Sequence, residues 1–464
     1  MAAVARHRGR GRRSAPHGLN AAARSAWVIA AALLAAALAS HALIAAAPAR
    51  IAPDLAQPLA IVTDWGAFGA LLLAILCAAL VAGTPAYFTA LRSGGRGVLV
   101  PCAAALGAAW LMPVTFSSDV YAYAAYGEMM RLGMNPYGHS LLPHANAVFE
   151  AAIWQWGNPP PACVYGPSFV ALAAALTWAL HAAGTLAILD GFRLIACASL
   201  LGCAALAARA YPGSARERAA AAAAIGLNPV AIWCAAEGHN DAVALLVVLA
   251  GFTLLRYGAP VAGAAVAALA GTVKLPGALA ALPLLRAPQT RWGAVAGLLA
   301  ATLLSVPFAV GVATHVAPQG RFAPEASLQA FVKPLLEIGL RSDGLASGLT
   351  LTIAAAVAAS LAAGGIRLLR DGRREGWLHV ALGAWVLVPN PYPWYGLWFA
   401  AVAALAPATR AGKTLLALVL FSLLRYAPDA VAAPAAVQAA ALGAFASLPL
   451  LAMIRLRVRR IGAR

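Results

Sequence analysis

Charge is scarce in this sequence, and negative charge is the scarcest. Only 10% of the 464 residues are charged and only 15 are Asp or Glu, whereas 62% are hydrophobic. The mean hydropathy of +0.80 is far above that of soluble globular proteins. A soluble globular fold is therefore excluded, and the sequence predicts an integral membrane protein.

Cysteine chemistry is also lacking. None of the six cysteines belongs to a C-x-x-C pair, and most lie in apolar runs, where a free cysteine behaves as a small hydrophobic residue. The sequence therefore predicts neither a disulfide framework nor a cysteine-based metal or redox site.

Positive charge is more abundant: Lys and Arg number 33, and the formal net charge is +18. In a soluble protein this excess would indicate nucleic-acid binding. Here most basic residues lie in the segments 1–25 and 455–464 and at the ends of apolar runs, as the positive-inside rule requires. We therefore expect no nucleic-acid partner, and we expect both basic tails in the cytoplasm.

About fourteen apolar runs between residues 26 and 454 reach or approach the length of a membrane helix. Because both tails are expected on one side, the number of crossings must be even, and twelve or fourteen fit. We expect one all-α, polytopic transmembrane domain over 26–454, a bundle of about 12 to 14 helices. An outer loop over 114–166 is expected to carry short interfacial helices, and a second outer loop is expected over 315–344.

Charge and strict alternation of the spans disagree in the middle of the chain. Counting every run as a crossing puts Arg216 and Arg218 outside and the polar turn 237–241 inside, which reverses the usual charge distribution. The conflict disappears if 167–190 does not cross fully and if the 259–285 run is broken into two half-helices. The sequence leaves both topologies open.

The loop 114–166 opens with a motif that predicts an amphipathic helix ended by Gly133. Four residues share one face of this helix by their spacing: Asp119, Tyr123, Tyr126 and Met130. The helix N-terminus favours the ionised form of Asp119, which suits a general base. The alternative interpretation is an interfacial helix whose tyrosines belong to an aromatic belt.

Other polar residues are stranded between apolar runs. A Glu237-Gly-His-Asn-Asp241 segment separates two runs, Lys274 lies in mid-run with a following Pro276, and an aromatic segment surrounds Trp394. Ionisable groups in such places are costly and commonly face a site or a cavity. An ordinary polar turn and a snorkelling lysine are the structural alternatives.

The order of these motifs resembles the GT-C glycosyltransferases. The series is an S-D-V-Y-x-Y helix after an early span, then N-P-Y, Y-G-P, N-P followed by G-H-N-D-A, K-L-P within a span, and a late P-W-Y. The chain resembles in particular the bacterial α-1,6-mannosyltransferases that use polyprenol phosphomannose, and more distantly the mannosyltransferase of GPI-anchor synthesis. The resemblance covers about residues 97 to 400.

This resemblance implies an inverting transfer of a hexose, usually mannose, from a polyprenyl-phosphate donor to a glycan or glycolipid acceptor. The reaction would take place on the outer face of a bacterial inner membrane. Asp119 would be the general base, and Lys274 would interact with the leaving phosphate. The other residues expected to bind donor or acceptor are Tyr123, Asn135, Tyr137, Tyr165, His239, Asn240, Asp241, Trp394 and Tyr395.

Motifs for binding a metal or a nucleotide are missing from the sequence, and their absence bears on the cofactor and on the sugar donor. Many relatives have a second carboxylate two positions after the first, where this chain has Tyr121, and His139 and His144 have no third ligand at regular spacing. We therefore expect no cofactor and no metal site, and the sequence leaves open whether activity needs a divalent metal. The chain has no G-x-G-x-x-G segment of the nucleotide-binding kind, which favours a lipid-linked donor.

A transporter or flippase of lipid-linked sugars is the alternative function. Lys274 would suit a transport site near the bilayer midplane, but the long outer loop with its carboxylate helix favours the enzyme. The stranded charges argue against a purely structural scaffold.

Overall fold

A computed structural model of the chain describes residues 17–46, 66–93, 97–114, 117–138, 140–306, 324, 327–445 and 447. Every regular element in these ranges is helical, and they contain no β-strand. The all-α class expected from the sequence is confirmed.

The helices follow one another along the chain in three groups. The N-terminal part forms α1 (His17–Ala46), α2 (Ala67–Ser93), α3 (Leu99–Trp110), α4 (Asp119–Arg131), α5 (Ala147–Trp156), α6 (Pro167–Leu180) and α7 (Thr185–Ala210). The middle forms α8 (Ala215–Gly226), α9 (Pro229–Ala236), α10 (Asp241–Arg256), α11 (Pro260–Leu269), α12 (Ala281–Leu284) and α13 (Pro288–Ser305). The last third forms α14 (Leu328–Leu340), α15 (Asp343–Arg370), α16 (Gly376–Leu387), α17 (Gly396–Ala403), α18 (Arg410–Ala430) and α19 (Ala435–Phe445).

Five of the described helices are long and apolar enough to cross a membrane alone: α1, α2, α7, α15 and α18. The pair α8 and α9, bent by 48° at a short break, can form a sixth span. Several of the remaining apolar runs are shorter helices, because prolines and glycines divide them. The polytopic membrane bundle is therefore confirmed, with many of its spans interrupted.

The segments expected at the two ends and in the outer loops are covered in part. Helix α1 begins at His17, within the expected tail 1–25, whereas 455–464 and most of 307–326 lie outside the described residues. The loop 114–166 carries two short helices, α4 and α5, and short helices were expected in this loop.

Basic loops meet at one end of the bundle. Arg374, after α15, forms an ion pair with Glu217 at the start of α8 and donates to the carbonyl of Pro212 at 3.1 Å. Arg216 donates to the carbonyl of Arg92, at the end of α2, at 2.7 Å. We call this the basic end.

Polar residues from the interiors of apolar regions meet at the other end. Lys274 Nζ lies 2.6 Å from Asp241 Oδ2, and His239 Nδ1 lies 3.4 Å from Asp119 Oδ2. Helices α8 and α9, 12 and 8 residues long, separate the two ends by about 30 Å. This is the thickness of the hydrocarbon core of a bilayer. We call the second end the site end.

Helix α6 begins at the site end and runs beside α4, away from the bundle: His181, just after α6, lies 3.9 Å from Glu128 near the end of α4. The backbone N–H of Gly166, just before α6, donates to the carbonyl of Val273 at 3.1 Å. After α6 the chain turns directly into α7, where Arg193 donates to the carbonyl of Ala236 at the site end of α9, at 2.6 Å. The first two turns of α7 therefore lie beyond the end of α9, together with α6. The segment 167–190 does not cross the bundle.

The 259–285 run is broken at Lys274. This residue has an extended backbone, with φ −148° and ψ 130°, between the 3₁₀ turns Ala270–Thr272 and Leu275–Ala280. The second turn packs back against α11. The run therefore enters the bundle, reaches the site end and returns.

The structure therefore has both features that remove the conflict between charge and topology: 167–190 does not cross the bundle, and the 259–285 run is broken into two parts. Arg216 lies at the basic end with Arg374, and the turn 237–241 lies at the site end with Asp119. The strict count that placed Arg216 outside and 237–241 inside was wrong, because it treated α6 as a full crossing and the 259–285 run as a single one.

Candidate active site

Asp119 is the first residue of α4, as the sequence predicts. The hydroxyl of Ser117 accepts from its backbone N–H at 3.4 Å, and Gly133, with φ 74°, follows the end of the helix. Tyr123 lies one turn along the same face. The helix N-terminus therefore places a carboxylate at the site end with tyrosines beneath it.

The carboxylate of Asp119 is surrounded by groups that can donate to it. The hydroxyls of Tyr123 and Tyr165 each lie 3.3 Å from Oδ2, and 3.4 Å from each other. His239 Nδ1 lies 3.4 Å from the same oxygen. The Asp119 side chain nevertheless keeps 18% exposure, whereas His239 keeps 1%. The carboxylate is thus partly accessible.

These surroundings keep Asp119 ionised. Burial by itself would raise the pKa of Asp119, but the nearby imidazole of His239, the charge of Lys274 and the hydroxyl of Tyr123 outweigh it. The pKa of the carboxyl therefore lies below its ordinary value. An ionised, partly exposed carboxylate can accept a proton from a bound hydroxyl.

A stack of aromatic rings holds His239 in place. Its imidazole lies 4.2 Å from the ring centre of Trp394 at 16°, and Trp394 lies 4.7 Å from Tyr392 at 10°. Gly238, with φ 90°, allows the tight turn that brings the imidazole there. His239 and Trp394, both predicted site residues, are therefore neighbours in the site.

Lys274 is paired within the protein. Its Nζ lies 2.6 Å from Asp241 Oδ2, while the indole N–H of Trp398 donates to Asp241 Oδ1 at 2.7 Å. The ammonium also lies 5.5 Å from the ring centre of Tyr165 and 5.3 Å from that of Tyr395. Because Tyr165 also contacts Asp119, the cation and the base belong to one cluster.

Three predicted residues have other surroundings. Asn240 is buried, and neither polar atom of its side chain has a hydrogen bond in the described structure. The buried Tyr137 donates to the carbonyl of Tyr165 at 2.8 Å and so supports the site from behind. Asn135 is exposed and accepts from the backbone N–H of Tyr137 at 3.0 Å, a contact that closes a local turn.

Sequence reasoning missed several contributors to the site. Trp398, which fixes Asp241, lies four residues after Trp394, a helical spacing that could have revealed it. Tyr426, on α18, packs edge-on against Trp394, with their ring centres 5.3 Å apart. No local sequence pattern indicates this contact. Arg193, within α7, donates to the carbonyls of Met112 and Ala236 and thereby joins α7 to the site-end termini of α3 and α9.

The described residues contain no group of three or more His, Cys, Asp or Glu that could hold a metal. His144 instead lies 3.1 Å from Glu150, and His139 lies outside the described residues. Tyr121, at the position of a second carboxylate in many relatives, is fully buried. The nearest partners of Asp119 are phenols and an imidazole, which do not form a hard-cation site.

Comparison with known families gives one match. A family model described as alpha-(1->6)-mannopyranosyltransferase, N-terminal domain, matches residues 21–288. No curated protein and no solved structure matches the chain. The matched segment contains Asp119, His239 and Lys274, whereas Trp394 and Trp398 come from beyond it.

Proposed function

Because the chain belongs to the alpha-(1->6)-mannopyranosyltransferase family, we propose that it transfers mannose from a polyprenyl-phosphate donor to a glycan or glycolipid acceptor. The transfer inverts the configuration of the sugar and takes place on the outer side of the inner membrane of a bacterium. Membership of the family makes the protein a membrane mannosyltransferase that needs a sugar donor and a glycan acceptor. The polyprenyl-phosphate donor, the inversion of configuration and the role of Asp119 as the base are our proposals beyond family membership.

The observation that carries the proposal is the joint position of Asp119 and Lys274. A partly exposed carboxylate with a lowered pKa lies beside a lysine whose ammonium contacts Tyr165, which is also a neighbour of the carboxylate. Transfer from a sugar phosphate needs a base that takes the proton of the acceptor hydroxyl and a positive charge that stabilises the leaving phosphate. A carboxylate and an ammonium in one site can supply both.

The reaction then follows from these positions. The acceptor oxygen attacks the anomeric carbon while its proton passes to Asp119. The bond between that carbon and the phosphate oxygen breaks, and its electron pair leaves with the polyprenyl phosphate. Lys274, by its positive charge, stabilises the negative charge that develops on the phosphate.

The outer location is supported by the two ends of the bundle. Arg216 and Arg374 lie at the basic end, and basic loops favour the cytoplasmic side. The site end is about 30 Å away, across one hydrocarbon thickness. A membrane-embedded donor can reach such a site from the outer leaflet, with its phosphate at the level of Lys274.

We propose that the transfer needs no resident metal, because the described neighbours of Asp119 are Tyr123, Tyr165 and His239 rather than further carboxylates. Turnover should therefore be unchanged in the presence of EDTA. A loss of turnover that magnesium or manganese restores would contradict this part of the proposal.

The test is an assay of the purified protein in lipid nanodiscs. Labelled polyprenyl-phosphate mannose, polyprenyl-phosphate glucose and a nucleotide-linked mannose are each offered with extracted envelope glycolipids. We expect labelled glycolipid only with a polyprenyl-phosphate donor, and more with mannose. In proteoliposomes, movement of intact labelled donor between leaflets without new product would instead identify a flippase.

A further inference from the structure

All the described donors around Asp119 contact one oxygen of its carboxylate. Tyr123, Tyr165 and His239 each approach Oδ2, at 3.3, 3.3 and 3.4 Å. No described residue donates a hydrogen bond to Oδ1, although the side chain keeps 18% exposure. The two oxygens of the base are therefore not equivalent.

Of the three neighbours of Oδ2, His239 is the one that the C-terminal aromatic rings hold. It is buried, stacks on Trp394, and follows a glycine with φ 90°. Tyr123 belongs to the same helix as Asp119, so it cannot fix that helix against the rest of the site. His239, from the turn between α9 and α10, and Tyr165, from the segment before α6, both connect the carboxylate to other parts of the chain.

We infer that His239 is a positioning residue for the proposed transfer, in that its Nδ1–H holds Oδ2 so that Oδ1 receives the proton of the acceptor hydroxyl. The inference rests on the proposed role of Asp119 as the base. His239 itself touches neither the sugar nor the phosphate. In the described structure neither ring nitrogen of His239 makes a hydrogen bond; its Nδ1 lies 3.4 Å from Oδ2. Catalytic contacts that are long in the absence of substrate commonly shorten when substrates bind.

The inference extends the site to the part of the chain outside the family match. His239 is fixed by Trp394, and Trp394 by Tyr392 and by Tyr426. The last three residues lie beyond residue 288, where the match ends. Residues in the C-terminal half of the protein therefore fix, through His239, the orientation of a base that lies in the N-terminal half.

Loss of the imidazole should also change the pH dependence. The charged and titratable groups around Asp119 are His239, Lys274, Tyr123, Tyr165, Asp241, Tyr395 and Tyr426. Among these, His239 and Lys274 lower the pKa of Asp119 most, against the effect of burial. Without His239 the pKa of Asp119 rises, so the base becomes protonated at higher pH. The acid limb of the kcat/KM profile should move to higher pH.

The experiment compares two variants that lose different properties of the imidazole. His239→Phe keeps a flat ring against Trp394 but has no donor, whereas His239→Asn keeps an N–H near the position of Nδ1 but loses the ring. Misplacement of a reacting group by about 1 Å costs about 10²-fold in rate. We expect His239→Phe to lose about 10²-fold in kcat with little change in the KM for donor, and His239→Asn to retain more activity.

The melting temperature, the pH profile and a control complete the test. His144→Asn, at an exposed histidine in the outer loop, should leave turnover unchanged. A His239→Phe enzyme that is as active as the wild type, or more active than His239→Asn, overturns the inference, because the ring stack alone would then suffice. A wild-type protein inactive with every polyprenyl-phosphate donor refutes the proposed function, and the inference with it.

Discussion

Asp119 combines partial exposure with a lowered pKa, a combination that burial alone does not produce. The imidazole of His239, the ammonium of Lys274 and the hydroxyl of Tyr123 provide the compensation. A carboxylate in an aromatic surrounding stays ionised because these groups stabilise its charge.

Replacement of Asp119 by asparagine tests its role directly. Asp119→Asn keeps the shape and the hydrogen-bonding capacity of the side chain but removes its basicity. Turnover should fall by about 10² to 10⁴, the usual contribution of a positioned base, while donor affinity stays close to that of the wild type. Glu150→Gln, in the same outer loop, is the matched control and should retain turnover. Near-normal transfer by Asp119→Asn would remove this residue from the mechanism.

Lys274 behaves differently from an isolated ammonium in an apolar run. For a lone charge, removal would leave stability intact or improve it. Here Lys274 neutralises Asp241, whose side chain is only 2% exposed. Removing one partner of a buried pair leaves the other charge without compensation and commonly costs about 3 to 5 kcal/mol.

Lys274→Met should therefore lower the melting temperature, in contrast to the expectation for a snorkelling lysine. The double variant Lys274→Met with Asp241→Leu removes both charges and should recover most of the lost stability. If Lys274 assists the leaving phosphate, the recovered protein still transfers at least about tenfold more slowly, because charge-assisted contacts are worth about 1.5 to 3 kcal/mol. Wild-type turnover by a stable double variant would assign Lys274 a purely structural role.

At the scale of elements, α4 is positioned by close approach to α6. A Cβ atom at Gly127 would lie 2.5 Å from the carbonyl oxygen of Ala173 and against the hydroxyl of Thr177. The far end of α4 is secured by Glu128, which receives hydrogen bonds from Arg131 at 2.7 Å and from Asn146 at 2.6 Å. The Arg131 contact, more than the opposing burial, holds the pKa of Glu128 below its usual value.

Gly127→Ala should destabilise the protein by about 1 to 3 kcal/mol, because the added methyl group meets backbone that cannot move independently. It should also reduce turnover, since α4 carries Asp119. Gly107→Ala in α3 is the matched control: a Cβ atom there meets nothing within 4 Å. The control should stabilise by about 0.4 to 1 kcal/mol. Thermal unfolding of both variants in one detergent measures the difference, and equal melting temperatures would contradict the proposed packing constraint.

At the scale of the whole molecule, the charges divide between the two ends of the bundle. At the basic end, Arg216 at the start of α8 contacts the end of α2. Arg374, in the loop after α15, contacts the start of α8 and the residue Pro212 before it. The carboxylate, the imidazole and the aromatic rings of the site lie at the other end. This separation predicts the orientation of the protein in its membrane.

Cysteine labelling tests the orientation. Leu141, 71% exposed, lies in the outer loop, and Asp371, also exposed, lies at the basic end. Of the native cysteines, Cys77 is the one that is not buried, so the variants are made in a Cys77→Ala background. In intact cells a membrane-impermeant maleimide should label Leu141→Cys and spare Asp371→Cys until the cells are permeabilised. The opposite labelling would place the site in the cytoplasm.

Much of this organisation was determined by local sequence. The membrane class follows from hydropathy. The start of α4 at Asp119, its end before Gly133, the start of α6 at Pro167 and the break at Lys274 follow from short motifs. Such features need no long-range information, because capping, proline geometry and the transfer of apolar side chains into lipid act within a few residues.

Tertiary structure alone decided how these motifs act together. Trp398 and Asp241 are 157 positions apart in the sequence, and Tyr165 and Asp119 are 46 apart, yet each pair is in contact. Hydropathy did not decide whether 167–190 crosses the bundle or show that Asp241 neutralises Lys274, and spacing did not show that the neighbours of Asp119 all approach one oxygen. These properties depend on how helices pack around small residues, and a packed interior brings together side chains that no local pattern connects.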